Sequence, residues 1–202
     1  DGGGRLQGTS IDIPADVSSA AFLLVGASIA PGSDVLLKHV GMNPTRVGIL
    51  NILTLMGADI TVRNPREIGG EPVADLQVRH APLHGIDIPE DEVPLAIDEF
   101  PALFIAAACA TGTTILRGAS ELRVKESDRI AAMAEGLTTL GIKNEPTPDG
   151  IVIEGGKISG GSVRTFHDHR IAMAFAIAGL RASAPIEVLD CDHVATSFPG
   201  FA

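Results

Sequence analysis

One structural plan is written three times along this chain, and that repetition constrains its fold more than any other feature. Each copy opens with a polar turn and runs into a helix of small apolar residues. A Gly- or Pro-containing turn breaks the helix, and a short β-like run follows. The first copy is Asp16-Val17-Ser18-Ser19, then residues 20–29, then Pro31-Gly32, then Val35-Leu36-Leu37. The second is Asp98-Glu99-Phe100-Pro101, then residues 102–110, then Thr111-Gly112, then Thr114-Ile115-Leu116. The third is Asp168-His169-Arg170, then residues 171–180, then Ser183-Ala184-Pro185, then Ile186-Glu187-Val188-Leu189. The helix starts fall about 70–80 residues apart, which suits one supersecondary unit per repeat.

The first two copies continue alike. Apolar-periodic segments at 46–56 and 129–140 end at Gly57 and Gly141. A glycine just past the last periodic residue predicts a helix C-cap. Strands are predicted at 59–62, and at 151–153 after the turn Pro148-Asp149-Gly150. The third copy reaches Thr196-Ser197-Phe198-Pro199 and stops, so its second helix is missing. The expectation is a chain that ends short of its natural C-terminus. Asp1-Gly2-Gly3-Gly4, with no initiating Met, reads as the interior of a longer protein or as a junction.

The first helix of each copy is apolar nearly all round, the mark of a buried helix. The second helices carry Arg46 and Asn51, or Arg129 and Glu135, on one side and read as amphipathic. Asp75-Leu76-Gln77-Val78-Arg79 and Ile11-Asp12-Ile13 alternate, which predicts strands with one face in water. Residues 65–72 read as a hairpin loop. The expected fold is mixed, α+β, in one domain over residues 1–202. Three repeats place helices inside and sheets outside, and the third is truncated.

Composition narrows the function. The 202 residues are 45% hydrophobic and 20% charged, with aromatics at 3% and neither Trp nor Tyr. The chain is globular, and it has no stacking platform for single-stranded nucleic acid. A formal net charge of -10 argues against nucleic acid or an anionic membrane as a bulk partner. The apolar runs are too short and too broken by Gly to span a bilayer. Cys109 lies in an apolar run and Cys191 between two aspartates, so both read as unpaired thiols of a reducing, cytoplasmic setting. Gly2-Gly3-Gly4 is not a phosphate loop, since no GK[ST] follows. His39, His80, His84 and His193 are scattered and receive no role.

The charged residues gather at helix starts. Arg123-Val124-Lys125-Glu126-Ser127-Asp128-Arg129 opens the second helix of copy two, with Ser127 or Asp128 as its N-cap. On a helix, Lys125 and Arg129 would share a face. Two cations and Glu126 at a helix N-terminus suit a phosphate or carboxylate ligand with a proton shuttle between them. Spacing alone fits a solvated, salt-bridged helix start better. His167-Asp168-His169-Arg170 opens the third buried helix. Consecutive residues rarely converge on one metal ion, so an Asp cap with Arg170 projecting into a cleft is the better reading. Asp98 is either a cap or a general base near these cations. If the repeats pack about a pseudo-threefold axis, all three starts meet at one end.

Taken together, Arg-Val-Lys-Glu-Ser-Asp-Arg at 123–129, Asp-His-Arg at 168–170 and Thr-Ser-Phe-Pro at 196–199 resemble the EPSP synthase (3-phosphoshikimate 1-carboxyvinyltransferase) family. Ile13-Pro14-Ala15-Asp16-Val17-Ser18-Ser19-Ala20 and Ile97-Asp98-Glu99 fit as well. The resemblance implies a two-domain enzyme, each domain an inside-out barrel of three βαβαββ units. This chain resembles the C-terminal-half domain, without its partner domain. The implied reaction moves the enolpyruvyl group of phosphoenolpyruvate to the 5-hydroxyl of shikimate 3-phosphate. It proceeds by addition and elimination, in a monomer that needs neither metal nor organic cofactor. Asp98 matches the family's proton acceptor, Glu126 a second acid/base group and Lys125 a phosphoshikimate contact. Arg129 and Arg170 match the phosphoenolpyruvate clamp. Thr196 stands where many members carry a further Lys contact, and Glu121 where some carry a substrate-binding Asn. A related transferase acting on a UDP-sugar shares the architecture, but Lys-Glu-Ser-Asp-Arg fits it less well. From another class, a non-catalytic repeat scaffold remains as a reading. The fragment alone is expected to be inactive.

Overall fold

A computed structural model describes residues 3–4 and 7–201. Asp1 and Gly2 of the opening run lie outside the described residues. The first unit is helix α1 (Val17–Ile29), strand β1 (Asp34–Gly41), helix α2 (Gly48–Leu55) and strands β2 (Asp59–Ile68) and β3 (Glu71–Arg79). The second is α3 (Phe100–Cys109), β4 (Thr113–Leu116), α4 (Arg129–Thr139), β5 (Asn144–Thr147) and β6 (Gly150–Glu154). The third is β7 (Gly161–Arg164), α5 (His169–Ala178), β8 (Ile186–Leu189) and the single turn α6 (Val194–Ser197).

Units one and two fold their strands in the same order. β1-β3-β2 and β4-β6-β5 are three-stranded, with the last strand antiparallel to both neighbours. The strand expected before each first helix is parallel to the strand after it. In unit three it is complete, as β7 on β8. In unit one it shrinks to the bridge Ala15↔Val40, and in unit two to His84↔Thr111 and Asp87↔Ile115. The βαβαββ plan is therefore present twice, and the third copy stops after βαβ and one turn.

α1, α3 and α5 pack against one another, and the sheets cover them. Nine apolar residues of α1, Gly26 included, and nine consecutive residues of α3 are buried. Such helices leave no polar stripe, so water is excluded all round and only other apolar surface can face them. α2 and α4 are amphipathic and end as expected. Gly57 and Gly141 take φ of 92° and 81°, the left-handed conformation of a C′ residue.

Two strand expectations are corrected. Ile11-Asp12-Ile13 forms no strand. Ile11 and Ile13 are 74% and 79% exposed, because the leading strand of unit one is reduced to the bridge at Ala15. Residues 65–72 are not a loop either. β2 and β3 run through them to a turn at Gly69-Gly70. Pro65 is tolerated because β2 is an edge strand and its register slips between Arg63 and Arg66. Asp75 pins that slip and the matching one in β1. It accepts Asn64 Nδ2 at 2.9 Å, the His39 amide at 2.9 Å and Arg66 Nη1 at 3.3 Å. Those bonds, Asn64 first, hold its carboxyl down to about 2.

Helix α4 meets α5 at a glycine. A Cβ on Gly136 would stand 2.1 Å from Cζ of Phe175, a ring with no exposed surface. Ala is the better helix former by about 1 kcal/mol, whereas overpacking a core costs about 1–3 kcal/mol. Gly136→Ala is therefore expected to lower the urea midpoint, and a raised midpoint would mean that Phe175 has room to move.

Candidate active site

The three buried helices begin at one end of the molecule, and each start places an acid there for a local reason. Asp16 caps α1 by accepting the Ser19 amide at 2.8 Å. Asp168 caps α5 by accepting the Arg170 amide at 2.9 Å through Oδ1. α3 departs from this pattern. Its N-cap is Glu99, whose side chain does not cap. Asp98 is thus no cap, and its carboxylate is left to the cations around it.

Those cations come from three segments. Arg129 Nη1 donates to Asp98 Oδ1 at 3.3 Å. Lys125 Nζ lies 3.5 Å from the same oxygen. Arg170 donates to the Asp98 carbonyl at 3.0 Å and lies 3.6 Å from Oδ2. Burial pushes the Asp98 carboxyl up, but the charges of Arg170, Lys125 and Arg129 outweigh it and hold the group below its ordinary value. Asp98 is ionised at neutral pH.

Arg129 has no exposed surface. It donates through Nε to Asp168 Oδ2 at 2.8 Å and through Nη2 to Glu126 Oε2 at 2.6 Å, besides its bond to Asp98. Asp168 therefore does two jobs, capping α5 with one oxygen and holding Arg129 with the other. Ser127 adds a hydroxyl to that second oxygen at 3.1 Å. Burial raises the Asp168 carboxyl, and the bond and charge of Arg129 more than reverse this. Phe166 and His167 precede it with φ of 52° and 59°. Successive left-handed residues with side chains are strained, and Thr165 secures them by donating to the carbonyls of Leu189 and Asp190.

The run 123–129 is not one helix start, which corrects the expected shared face of Lys125 and Arg129. Residues Ser120–Val124 form a 3₁₀ turn, and α4 begins only at Arg129, capped by Asp128. Arg123 is drawn away to the Thr147 and Pro148 carbonyls and to Asp128, leaving Val124 80% exposed. Lys125 and Arg129 still converge, through Asp98. Glu121, which stands in place of an Asn, holds Lys125 Nζ at 2.5 Å. That hydrogen bond, ahead of the opposing effect of burial, raises the Lys125 pKa.

Asp98, Glu126, Lys125, Arg129 and Arg170 are thus brought together. Thr196 is not joined to them: it is exposed on α6, and its neighbour Ser197 lines a small cleft of about 130 Å³ with Arg170, Ser18 and His169. A wider cleft, about 480 Å³, opens beside Glu126, Ser127 and Asp128. The apolar cavity between α5, β8 and α6, about 340 Å³, is lined by Cys191 and Phe198 and takes in none of the five grouped residues. Sequence reasoning missed the grip of Asp168 on Arg129, and it missed Glu99, Ser18 and Arg46. Ser18 donates to Glu99 and accepts from Arg46 at 2.6 Å. The second acid of Asp98-Glu99, at the mouth of an apolar helix, was the available signal.

The profile of one family, EPSP synthase (3-phosphoshikimate 1-carboxyvinyltransferase), matches residues 1–202. The 3-phosphoshikimate 1-carboxyvinyltransferase of Methylococcus capsulatus is 68% identical over 199 residues, which is 98% of this chain and 46% of that protein. The one from Alkalilimnicola ehrlichii is 69% identical over 202 residues, 100% of this chain and 45% of that protein. The chain spans about half the length of the curated relatives it matches. Among solved structures, an EPSP synthase from Acinetobacter baumannii superposes with a TM-score of 0.95 at 59% identity, over 98% of this chain and 47% of that one. The enolpyruvyl transferase NikO from Streptomyces tendae gives 0.71 at 18% identity, over 93% and 41%, and shares the fold.

Removing one partner of a buried ion pair costs about 3–5 kcal/mol, so Asp168→Asn is expected to lower stability by that order at neutral pH. The folded-state pKa values of Asp168 and Asp98 lie below the ordinary 3.8. Their contribution is present above that value and is lost as pH falls through the folded values. Urea midpoints at about pH 6 and about pH 3 check this: the wild type falls between them, and Asp168→Asn falls less. Equal drops would show that Asp168 does not carry the acid sensitivity.

Proposed function

This chain belongs to the EPSP synthase family, and on that premise we propose that it forms one wall of the active site of a 3-phosphoshikimate 1-carboxyvinyltransferase. The transferred group is the enolpyruvyl of phosphoenolpyruvate, and the acceptor is the 5-hydroxyl of shikimate 3-phosphate. The single observation that carries the reading is Asp98, an ionised carboxylate that is not needed as a helix cap and is ringed by Lys125, Arg129 and Arg170.

The roles are those the resemblance implies, and charge and reach are in keeping with them. Asp98 accepts the proton of the attacking hydroxyl as that oxygen bonds to the central carbon of phosphoenolpyruvate. The methylene carbon takes up a proton in this addition. In the elimination it loses one, and inorganic phosphate leaves. Glu126, with half of its side chain exposed, is placed to carry a proton at this second centre. Arg170, the more accessible of the two arginines, offers a planar fork that matches phosphate and carboxylate. Arg129, assigned to phosphoenolpyruvate by the resemblance, would have to exchange a carboxylate partner for the ligand. Lys125 turns from Glu121 to the phosphoshikimate. No helix among the described residues is long and apolar enough to cross a membrane. With two unpaired cysteines, a cytoplasmic setting is in keeping with the chain.

The same charges support a second wall on another domain. Five carboxylates, Asp98, Glu99, Glu121, Glu126 and Asp168, face three cations, Lys125, Arg129 and Arg170. A cluster with more acids than bases attracts two anionic substrates poorly by itself. The 202-residue chain alone is therefore expected to release no phosphate from the two substrates, whereas the complete polypeptide does. In the complete polypeptide, Asp98→Asn is expected to reduce turnover by about 10²-fold or more. Phosphate release measures both, and full activity in Asp98→Asn would remove Asp98 as the base.

A further inference from the structure

Asp98 has a neighbour that this chemistry leaves unused. Glu99 is 2% exposed. Its Oε1 accepts the hydroxyl of Ser18 from α1 and stands 3.8 Å from Nη1 of Arg170 on α5. Ser18 is held by Arg46, which lies 3.6 Å from Asp16. Asp98, the adjoining residue, adds a like charge. A buried carboxylate is costly unless it is paired. Its ion partner here, Arg170, is shared with both the carbonyl and the carboxylate of Asp98.

We propose that Glu99 is a positioning residue that neutralises Arg170 in the empty site and takes up a proton from solution when an anionic substrate claims that guanidinium. The inference rests on the reading above, in which Arg170 takes phosphoenolpyruvate. Burial already pushes the Glu99 carboxyl above its ordinary value, while Ser18, Arg170 and Arg46 pull it down and Asp98 adds to the rise. Burial thus opposes the ionised form, and the Ser18 hydroxyl and then the Arg170 charge, 3.8 Å away, are what support it. An arriving anion spends the guanidinium's attraction and brings negative charge closer. The ionised form of Glu99 loses its support, and a proton from the buffer closes the gap. Arg170 passes from protein to substrate without leaving an unpaired anion in the core.

Linkage makes this measurable. Each proton taken up on binding weakens affinity by up to tenfold for each pH unit of increase. Calorimetry of the complete polypeptide with phosphoenolpyruvate, in two buffers of different ionisation enthalpy between about pH 5 and 7, counts those protons. The phosphate of the ligand titrates in the same range, so the readout is the difference between wild type and Glu99→Gln. Wild type is expected to take up more protons, with an affinity slope steeper by the same amount. Ser18→Ala removes a bond to the ionised form and keeps every cation, so its uptake window is expected at higher pH. Equal uptake in wild type and Glu99→Gln, or an unmoved window in Ser18→Ala, would overturn the proposal. The second comparison decides alone if Glu99→Gln does not fold. Absence of binding by wild type would remove the functional reading and this inference together, whereas binding with equal uptake removes only the inference.

Discussion

A guanidinium with no surface in water is the constraint on which this site depends. Arg129 cannot shed its proton, so the fold has to surround it with acceptors. Three carboxylates from three segments do so: Asp98 before α3, Glu126 in the turn before α4, and Asp168 at the start of α5. Removing any of them leaves a buried charge short of a partner. The ion pairs thereby fix where the second helix of unit two begins relative to the first helices of units two and three. The 3₁₀ turn before α4, the left-handed pair before α5 and the freedom of Asp98 from capping are each arrangements that bring a carboxylate to Arg129.

That demand also explains how a repeat became a site. Three equivalent units each bury an apolar helix, and each helix has to start from a polar turn. Packing α1, α3 and α5 together brings the starts to one pole whatever their sequence. Unit one keeps the ordinary use of its acid, as a cap. Unit three gives its acid both a cap and Arg129. Unit two gives up the cap altogether, and Asp98 becomes a free carboxylate among cations. Graded departure from one local rule is what turns symmetric scaffolding into asymmetric chemistry.

Much of this was legible before the structure. The polar turns at Asp16, Asp98 and Asp168 mark the buried helices because a helix without a polar stripe has to be preceded by a change of composition. Gly57 and Gly141 mark the ends of the amphipathic second helices, α2 and α4, through a conformation that few other residues adopt. What escaped depends on partners far along the chain. Ile11-Asp12-Ile13 alternates like a strand, yet among the described residues no strand pairs with it. Pro65 looks like a breaker until the slip opposite Asp75 gives it a place. The run 123–129 looks like a helix start until Arg123 is pulled onto the carbonyls of Thr147 and Pro148. The resemblance supplied roles for Lys125, Glu126, Arg129 and Arg170. Local spacing alone explains the first three as a salt-bridged helix end and Arg170 as an arginine projecting into a cleft.

Asp98 and Glu99 show why neighbours in sequence are not neighbours in chemistry. They share one turn and one side-chain class. One residue of displacement sends the first carboxylate out to three cations and the second inward, to a serine hydroxyl and the edge of one shared guanidinium. Net charge around the first favours ionisation, and apolar surroundings at the second oppose it, so their affinities for protons are driven in opposite directions. Two acids separated in this way divide work that identical acids could not. Asp98 stays charged throughout the neutral range, whereas the charge state of Glu99 answers to what Arg170 holds. The link between them is Arg170 itself. A ligand that takes this guanidinium changes the field at both carboxylates, without direct contact with the buried one.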